Sequence, residues 1–326
     1  MLERTETVQE RMGEHAIPIQ PVAKHGHFQA WQTICAPFCS IQGLNSARMQ
    51  RHNDVSVSNV GPVGLLRGAC GGQLVRRSSA KVSETPGFVL VTCYDTGRLT
   101  GIMGGVPFDG RGNDLILRDL DHPFEALRYP SRFKSLLIPR RMLGLEVGEA
   151  PSLRILCGDD PIAQAVRAIV SEAFEALSAH SQVYSYELMQ RLLATVRTAM
   201  LQPRRRLSPR RAARQAQLIE IRTFVEDNLE RLDLSAETLL PEFGLSRATL
   251  YRLFETQGGV RSYIVDRRLF RALLDISDMP RRRGKIQRAA KRWGFSSPSN
   301  FNRSVQHVFG TSPGALLRVP SAPALT

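Results

Sequence analysis

The chain reads as an α+β protein of two unlike parts. An N-terminal β-barrel or sandwich with flanking helices precedes an all-α segment holding two helix-turn-helix units. Three observations carry this. Short apolar runs separated by Gly, Pro, Asn and Asp fill residues 44–140. Beyond residue 215 apolar residues recur at helical spacing instead. Within that part, Leu234–Phe254 and Ile286–Arg303 repeat one pattern: a short apolar helix, a Gly (244, 294), an apolar residue, a Ser, then a helix studded with Arg and hydroxyls. A second helix held after such a turn is the element that enters a DNA major groove.

Composition agrees. At 326 residues and 42% hydrophobic, the chain has material for two cores. The net charge is +14, and from Pro203 to Thr326 there are 23 Lys and Arg against 11 Asp and Glu, a net +12. The charge thus sits with the paired motif and favours a polyanionic partner. Five scattered cysteines lack zinc-ligand spacing and read as buried thiols. The opening Met1-Leu-Glu-Arg-Thr-Glu is no signal peptide, and no run of about 18 apolar residues occurs, so a cytoplasmic protein without a membrane partner is expected.

Residues 1–25 read as a polar leader and 26–202 as the first domain. Phe28, Trp31, Ile34, Cys35 and Phe38 have helical spacing. Strands are expected at 55–60, 64–66, 87–94, 99–102, 114–117 and 133–138, where β-branched and apolar runs are bounded by turn residues. Ile162, Val166, Ile169, Val170, Ala173 and Phe174 form one helical stripe, and Tyr186, Met189, Leu192, Leu193 and Val196 another. Such a helical hairpin covers the barrel or offers a dimer surface. The basic, proline-broken residues 203–214 read as a linker, and 215–320 as the second domain.

In the first unit Ser246 is placed to cap the helix that follows, and Gly244 supplies the positive φ that ends the one before. Leu250, Leu253 and Phe254 take the core face. Ser246, Arg247, Ala248, Thr249, Tyr251 and Arg252 are left as the candidate DNA-binding set. Arg252 suits bidentate pairing with guanine, and Arg247 suits phosphate. In the second unit Ser297-Pro298 is a cap followed by proline at the first helical position. Phe301 and Val305 face inward, while Ser297, Pro298, Ser299, Asn300, Asn302 and Arg303 face the groove. Asn bridges adenine N6 and N7, and proline can meet a thymine methyl. Trp293 and Phe295 flank the turn at apolar positions and are expected to pack between helices rather than stack on bases. Tyr263-Ile264 and Leu269–Leu274 form a long helix that spaces the two readers, about 34 Å apart if both meet successive major-groove faces.

Residues 217–318 resemble the DNA-binding domain of the AraC/XylS family. The resemblance rests on Gly244-Leu-Ser-Arg-Ala-Thr-Leu-Tyr-Arg-Leu-Phe254, Tyr263-Ile264, Arg267-Arg268-Leu269, Arg292-Trp-Gly-Phe-Ser296, Phe301-Asn-Arg303 and Phe309-Gly-Thr-Ser-Pro313. It implies seven helices, two of them recognition helices, and promoter binding beside RNA polymerase, usually with activation. Phe28-Gln-Ala-Trp31, Arg76-Arg77, Asp114–Phe124 and Phe133–Arg140 are similar, more loosely, to the cupin-like regulatory domain of one branch of that family. That implies a small-molecule effector, a homodimer, or both. Three positions depart from the pattern: Pro241 inside the first helix of the first unit, and the smaller Ala289 and Val305 in the second.

Other classes fit less well. A cupin-type metal enzyme needs clustered His and carboxylate, but His25-Gly-His27 has no acidic residue at suitable spacing and His52 and His122 stand alone. Gly71-Gly72 and Gly104-Gly105 lack the Lys-Ser/Thr of a phosphate loop. No catalytic residue, cofactor or metal is therefore expected. A nonspecific nucleic-acid binder fits the charge but not two capped helices with small polar faces. Double-stranded promoter DNA is the expected partner.

Overall fold

The computed structural model describes residues 16–25, 28–44, 54–178, 183–201, 209–280 and 283–316. The first part holds β1 (Ala16–His25), α1 (Phe28–Cys35), β2 (Ser40–Gly43), β3 (Asp54–Val60), β4 (Val63–Cys70), β5 (Gln73–Arg77), α2 (Ser79–Glu84), β6 (Phe88–Thr96), β7 (Arg98–Met103), β8 (Val106–Arg111), β9 (Leu115–Asp119), β10 (Phe124–Arg128), β11 (Ser131–Pro139), β12 (Leu153–Leu156), α3 (Pro161–Ser178), β13 (Val183–Ser185) and α4 (Tyr186–Leu201). Every ladder is antiparallel. The strands form an eight-stranded sheet, β12-β9-β6-β11-β4-β3-β1-β13, and a five-stranded sheet, β2-β5-β10-β7-β8.

The two sheets are not closed into a barrel; of the two forms expected, the layered one holds. Side-chain alternation explains the layers. On β6, Val89, Val91 and Cys93 join the helical hairpin, while Phe88, Leu90 and Tyr94 turn toward the opposite sheet. The hairpin stripes of α3 and α4, including Val166, Val170, Leu192 and Val196, cover the outer face of the eight-stranded sheet. The space between the sheets is filled by Trp31, Tyr94, Phe133, Leu99, Phe124 and their neighbours.

Three boundaries differ from the expectation. The polar leader was to run to residue 25, yet Ala16–His25 is a strand. Its two prolines disguise it: they donate no ladder hydrogen bond, and the register shifts between Pro21 and Ala23 to accommodate this. Helix α1 stops at Cys35, two residues short of Pro37, because the residue before a proline avoids helical backbone. The linker was to end at 214, but a helix starts at Pro209; residues 203–208 lie outside the described residues.

The second part comprises α5 (Pro209–Asp227), α6 (Ala236–Glu242), α7 (Arg247–Leu253), α8 (Val260–Asp278), α9 (Lys285–Arg292), α10 (Pro298–Phe309) and α11 (Pro313–Leu316), seven α-helices among the described residues. Ile221, Val225, Leu239, Leu250, Phe254 and Tyr263 form one core around the first unit. The second unit's core does not stand alone. Leu269, Phe270 and Leu273 of α8, with Ala289, Phe301 and Val305, merge with Leu44, Leu74 and Leu127 on the outer face of the five-stranded sheet. Tyr129 stacks on Phe309 at 6.1 Å.

Polar bonds frame this contact. Arg98 bonds Asp109 at 2.5 Å and also pairs with Asp266 of α8. Arg267 donates to Thr100 Oγ1 at 2.8 Å and pairs with Glu226. Glu125 lies 3.4 Å from Arg76 and 3.8 Å from Arg271, and Arg76 pairs with Asp278. Strand β10 therefore works on both faces. Phe124, Ala126 and Arg128 turn into the sandwich, and Glu125 and Leu127 meet α8.

Candidate nucleic-acid interface

The two units close by the same backbone hydrogen bonds. In the first, Phe243 N bonds Leu239 O at 3.1 Å and Leu245 N bonds Leu240 O at 3.0 Å, across Gly244 at φ +60. In the second, Trp293 N bonds Ala289 O at 3.0 Å and Phe295 N bonds Ala290 O at 3.0 Å, across Gly294 at φ +72. A left-handed residue after the helix lets the next amides turn back to the last carbonyls, and glycine takes that conformation at least cost. Pro241 does not break α6. The helix has only seven residues, so the proline falls in its last turn and only the Glu237 carbonyl loses its usual donor.

Each reader helix then starts at the expected serine. Ser246 Oγ accepts from Thr249 N at 3.2 Å, and Ser297 Oγ accepts from Asn300 N at 3.2 Å, with Pro298 in the first turn. Leu250, Leu253 and Phe254 are buried, as are Phe301 and Val305. Ser246, Arg247, Ala248, Tyr251, Arg252, Pro298, Ser299, Asn302 and Arg303 are exposed, and Thr249, Ser297 and Asn300 are half-buried. Ala289 and Val305 are fully buried, so the smaller side chains do not open the second core to solvent.

Several of these residues converge. A groove of about 740 Å³ between the units is lined by Tyr251 from α7 and by Asn300, Arg303 and Ser304 from α10. Its floor is α8 (Arg261, Ile264, Val265 and Arg268) and one wall carries Glu237. Arg252, Arg247 and Asn302 are not part of that lining. Arg247 instead lies 3.4 Å from Glu237, an exposed pair of little energetic weight. Asn300 is held at both ends: its amide nitrogen donates to Ser296 Oγ at 2.5 Å, and its oxygen accepts from Arg303 at 2.7 Å.

Trp293 and Phe295 pack as expected. The Trp293 indole N–H donates to Asp275 at 2.8 Å, and the ring touches both helical cores. Phe295 meets Phe301 edge-on at 5.1 Å. Two residues escaped the sequence reading. Arg261 lines the groove floor. Arg268, only 9% exposed, donates to Leu229 O at 3.0 Å and Gly294 O at 3.3 Å, and also to Arg231 O. It joins the first unit's entry loop to the second unit's turn. The available signal was Arg267-Arg268 set between the apolar Tyr263-Ile264 and Leu269-Phe270 of one helix, which places a guanidinium next to the core.

Residues 239–318 match the family model described as a helix-turn-helix domain. The chain carries an AraC-type helix-turn-helix domain. Among solved structures, the chain is similar to the AraC-like transcriptional activator CuxR, at 18% identity and TM-score 0.46 over 78% of this chain and 94% of that one. It is also similar to an apo variant of ToxT from Vibrio cholerae, at 12% identity and TM-score 0.32 over 79% and 98%. Within the AraC-type domain, α6–α7 and α9–α10 are the two units and α8 is the rod between them. One face of that rod rests on the five-stranded sheet while the other lies beneath the groove. Among the described residues, no group of His, Cys, Asp and Glu is gathered to hold a metal ion, and no helix is long and apolar enough to cross a membrane.

Proposed function

We propose that this chain is a one-component transcription regulator that works in the cytoplasm. Residues 215–320 read promoter DNA through α7 and α10, and residues 26–202 sense a small molecule, form a homodimer, or both. Binding next to RNA polymerase makes it an activator. The observation that carries this reading is the pair of serine-capped helices that leave their polar residues exposed beside one open groove.

The roles follow from side-chain chemistry. Arg252 and Arg303 pair with guanine, and Asn300 and Asn302 bridge adenine. Arg247, Ser246, Thr249, Ser297 and Ser299 engage the phosphate backbone near the helix N-termini, and Ala248, Tyr251 and Pro298 make apolar contact with base edges. Asn300 must trade its bonds to Ser296 and Arg303 for a base, so those bonds hold it in position until DNA arrives.

Selection of bound fragments from random duplex, followed by competition binding, tests the reading. A preference of about 10³-fold or more for one sequence over random duplex, with protection on two segments about one helical turn apart, is the expected result. Binding that depends on salt alone and shows no preferred sequence would sink it.

A further inference from the structure

The two units share a backbone pattern but not a charge. Their equivalent turn bonds align Leu239 with Ala289 and Leu240 with Ala290. In that register Glu237, Thr238, Pro241 and Glu242 of α6 stand where α9 has Gln287, Arg288, Lys291 and Arg292. Residues 228–258 hold three arginines against five Asp and Glu, a net −2. Residues 279–309 hold eight Lys and Arg and no Asp or Glu, a net +8. The first helix of such a unit crosses the DNA backbone, so the difference falls where phosphates pass.

Ion pairs widen it. In the first unit Arg231 pairs with Asp233 at 2.8 Å and Arg247 lies 3.4 Å from Glu237, so two of its three arginines already face carboxylates. In the second, Arg292 is tied to Glu230 at 2.9 Å and to Asp275 at 3.3 Å. Arg283, Arg288 and Lys291 are exposed and form no ion pair with a carboxylate among the described residues. On the opposite side of α9, Ala289 and Ala290 are buried in one core with Phe301 and Val305 of α10, so the cations of α9 lie beside the second reader.

Glu237 has the reverse setting. It is exposed and lines the groove with Tyr251, Asn300 and Arg303. Its carboxyl is held below the ordinary value by its own backbone amide, then by the Ser235 hydroxyl and by Arg247, so it is ionised at neutral pH. Duplex DNA carries one charge for about every 1.7 Å of its axis, and at physiological salt a charge is felt over about 8 Å. A carboxylate in that groove opposes any duplex, and Arg247 reaches a phosphate only by leaving it.

Resting on the promoter-reading proposal above, we propose that the two units divide the work unequally: α9 anchors the second unit on the phosphate backbone through Arg288 and Lys291, while Glu237 opposes the hold of the first unit on any duplex. The second unit supplies most of the salt-sensitive, sequence-independent affinity. The first contributes base contacts with little phosphate affinity of its own. Affinity for unmatched DNA therefore stays below what the net charge of +14 would give if it were spread evenly.

Fluorescence anisotropy of the full chain on random duplex and on the selected operator, from about 50 to 200 mM salt, tests this. Arg288→Gln and Lys291→Gln are each expected to weaken both duplexes by about three- to tenfold at low salt and to lower the slope of log affinity against log salt by about one. Glu237→Gln is expected to tighten both by about three- to tenfold, with the gain fading as salt rises. Glu242→Gln removes an exposed carboxylate outside the groove lining and is expected to change either by under about twofold. Glutamine keeps the length of glutamate at these exposed positions, so the fold is retained. Unchanged slopes in both α9 variants, or no tightening with Glu237→Gln, overturns the proposal. So does an equal gain from Glu242→Gln, since net charge alone would then be responsible, or a changed preferred base, which would make Glu237 a reader of cytosine. A wild-type chain with no preferred sequence sinks the promoter reading and leaves the random-duplex measurements decisive here. Variants without effect sink this inference and leave the operator preference standing.

Discussion

Arg268 and Gly294 fit one another with no space between them. The Arg268 Nη1 donates to the Gly294 carbonyl at 3.3 Å, and a Cβ at Gly294 would lie 2.6 Å from Arg268 Cζ. The turn glycine of the second unit is thus required twice, for its φ of +72 and for the guanidinium above it.

Gly244 occupies the equivalent turn of the first unit at φ +60, but nothing lies within 4 Å of its missing Cβ. Gly244→Ala is therefore expected to cost only the left-handed strain, about 1–2 kcal/mol. Gly294→Ala adds displacement of a 9% exposed arginine that donates to three carbonyls, and is expected to cost about 2–4 kcal/mol. Urea unfolding of both variants decides; equal losses would mean that Arg268 moves aside freely.

Arg252 and Arg247 separate reading from positioning. Both are exposed on α7. Arg252→Ala is expected to lose about 1–3 kcal/mol of discrimination between operator and mismatched duplex, whereas Arg247→Ala weakens all duplexes alike and lowers the salt slope by about one. An Arg252→Ala protein with an unchanged footprint and affinity removes that residue from the reader set.

Glu226 and Glu125 both brace α8, in different surroundings. Glu226, with a side chain 5% exposed, pairs with the fully buried Arg267. Glu125 is 42% exposed and lies 3.4 Å or more from its arginines. Glu226→Gln leaves a desolvated guanidinium short of its counter-charge and is expected to cost about 3–5 kcal/mol. Glu125→Gln is expected to cost under about 1 kcal/mol. Chemical denaturation of the two variants measures the difference, and similar losses would refute the burial argument.

The thiols sort by environment. Burial pushes Cys93 up to about 12, so it stays protonated at any pH the protein meets. Cys39 is held below the ordinary thiol value, chiefly by its hydrogen bond with Cys35 and further by Arg128, Arg118 and Arg77. A lowered value means that the thiolate already forms at a pH where an ordinary thiol, near 8.5, does not. Iodoacetamide at about pH 7 is thus expected to label half-buried Cys39 well before Cys93, as read by mass spectrometry; prior labelling of Cys93 would contradict this.

Much of this architecture was legible before any coordinates. The six strand runs named from β-branched spacing each coincide with a strand, two of them beginning one residue early at Gly87 and Asp114, because central strands carry long apolar runs bounded by turn residues. Strands β1, β2, β5, β8, β10, β12 and β13 were missed. Such strands as Gln73–Arg77 and Phe124–Arg128 mix charge with apolar residues, since their charged side chains find individual partners, Arg77 and Arg128 inside the sandwich and Arg76 and Glu125 against α8. Both turn glycines and both serine caps were visible, for these are local chemistry set by φ and by orphan amides at a helix start.

The sequence by itself determined the class of fold, the two units and the serines and glycines that shape them, because helix periods, caps and turns depend on neighbours a few residues apart. Only the tertiary structure decided which arginines face solvent and which are internal braces. Arg252 and Arg268 have the same side chain, sixteen positions apart by their numbers. One stands exposed on α7 and the other lies beneath the groove, bonded to three carbonyls from distant segments. A charged side chain is placed by the desolvation it suffers and the acceptors it meets, and both are set by parts of the chain far from it in sequence.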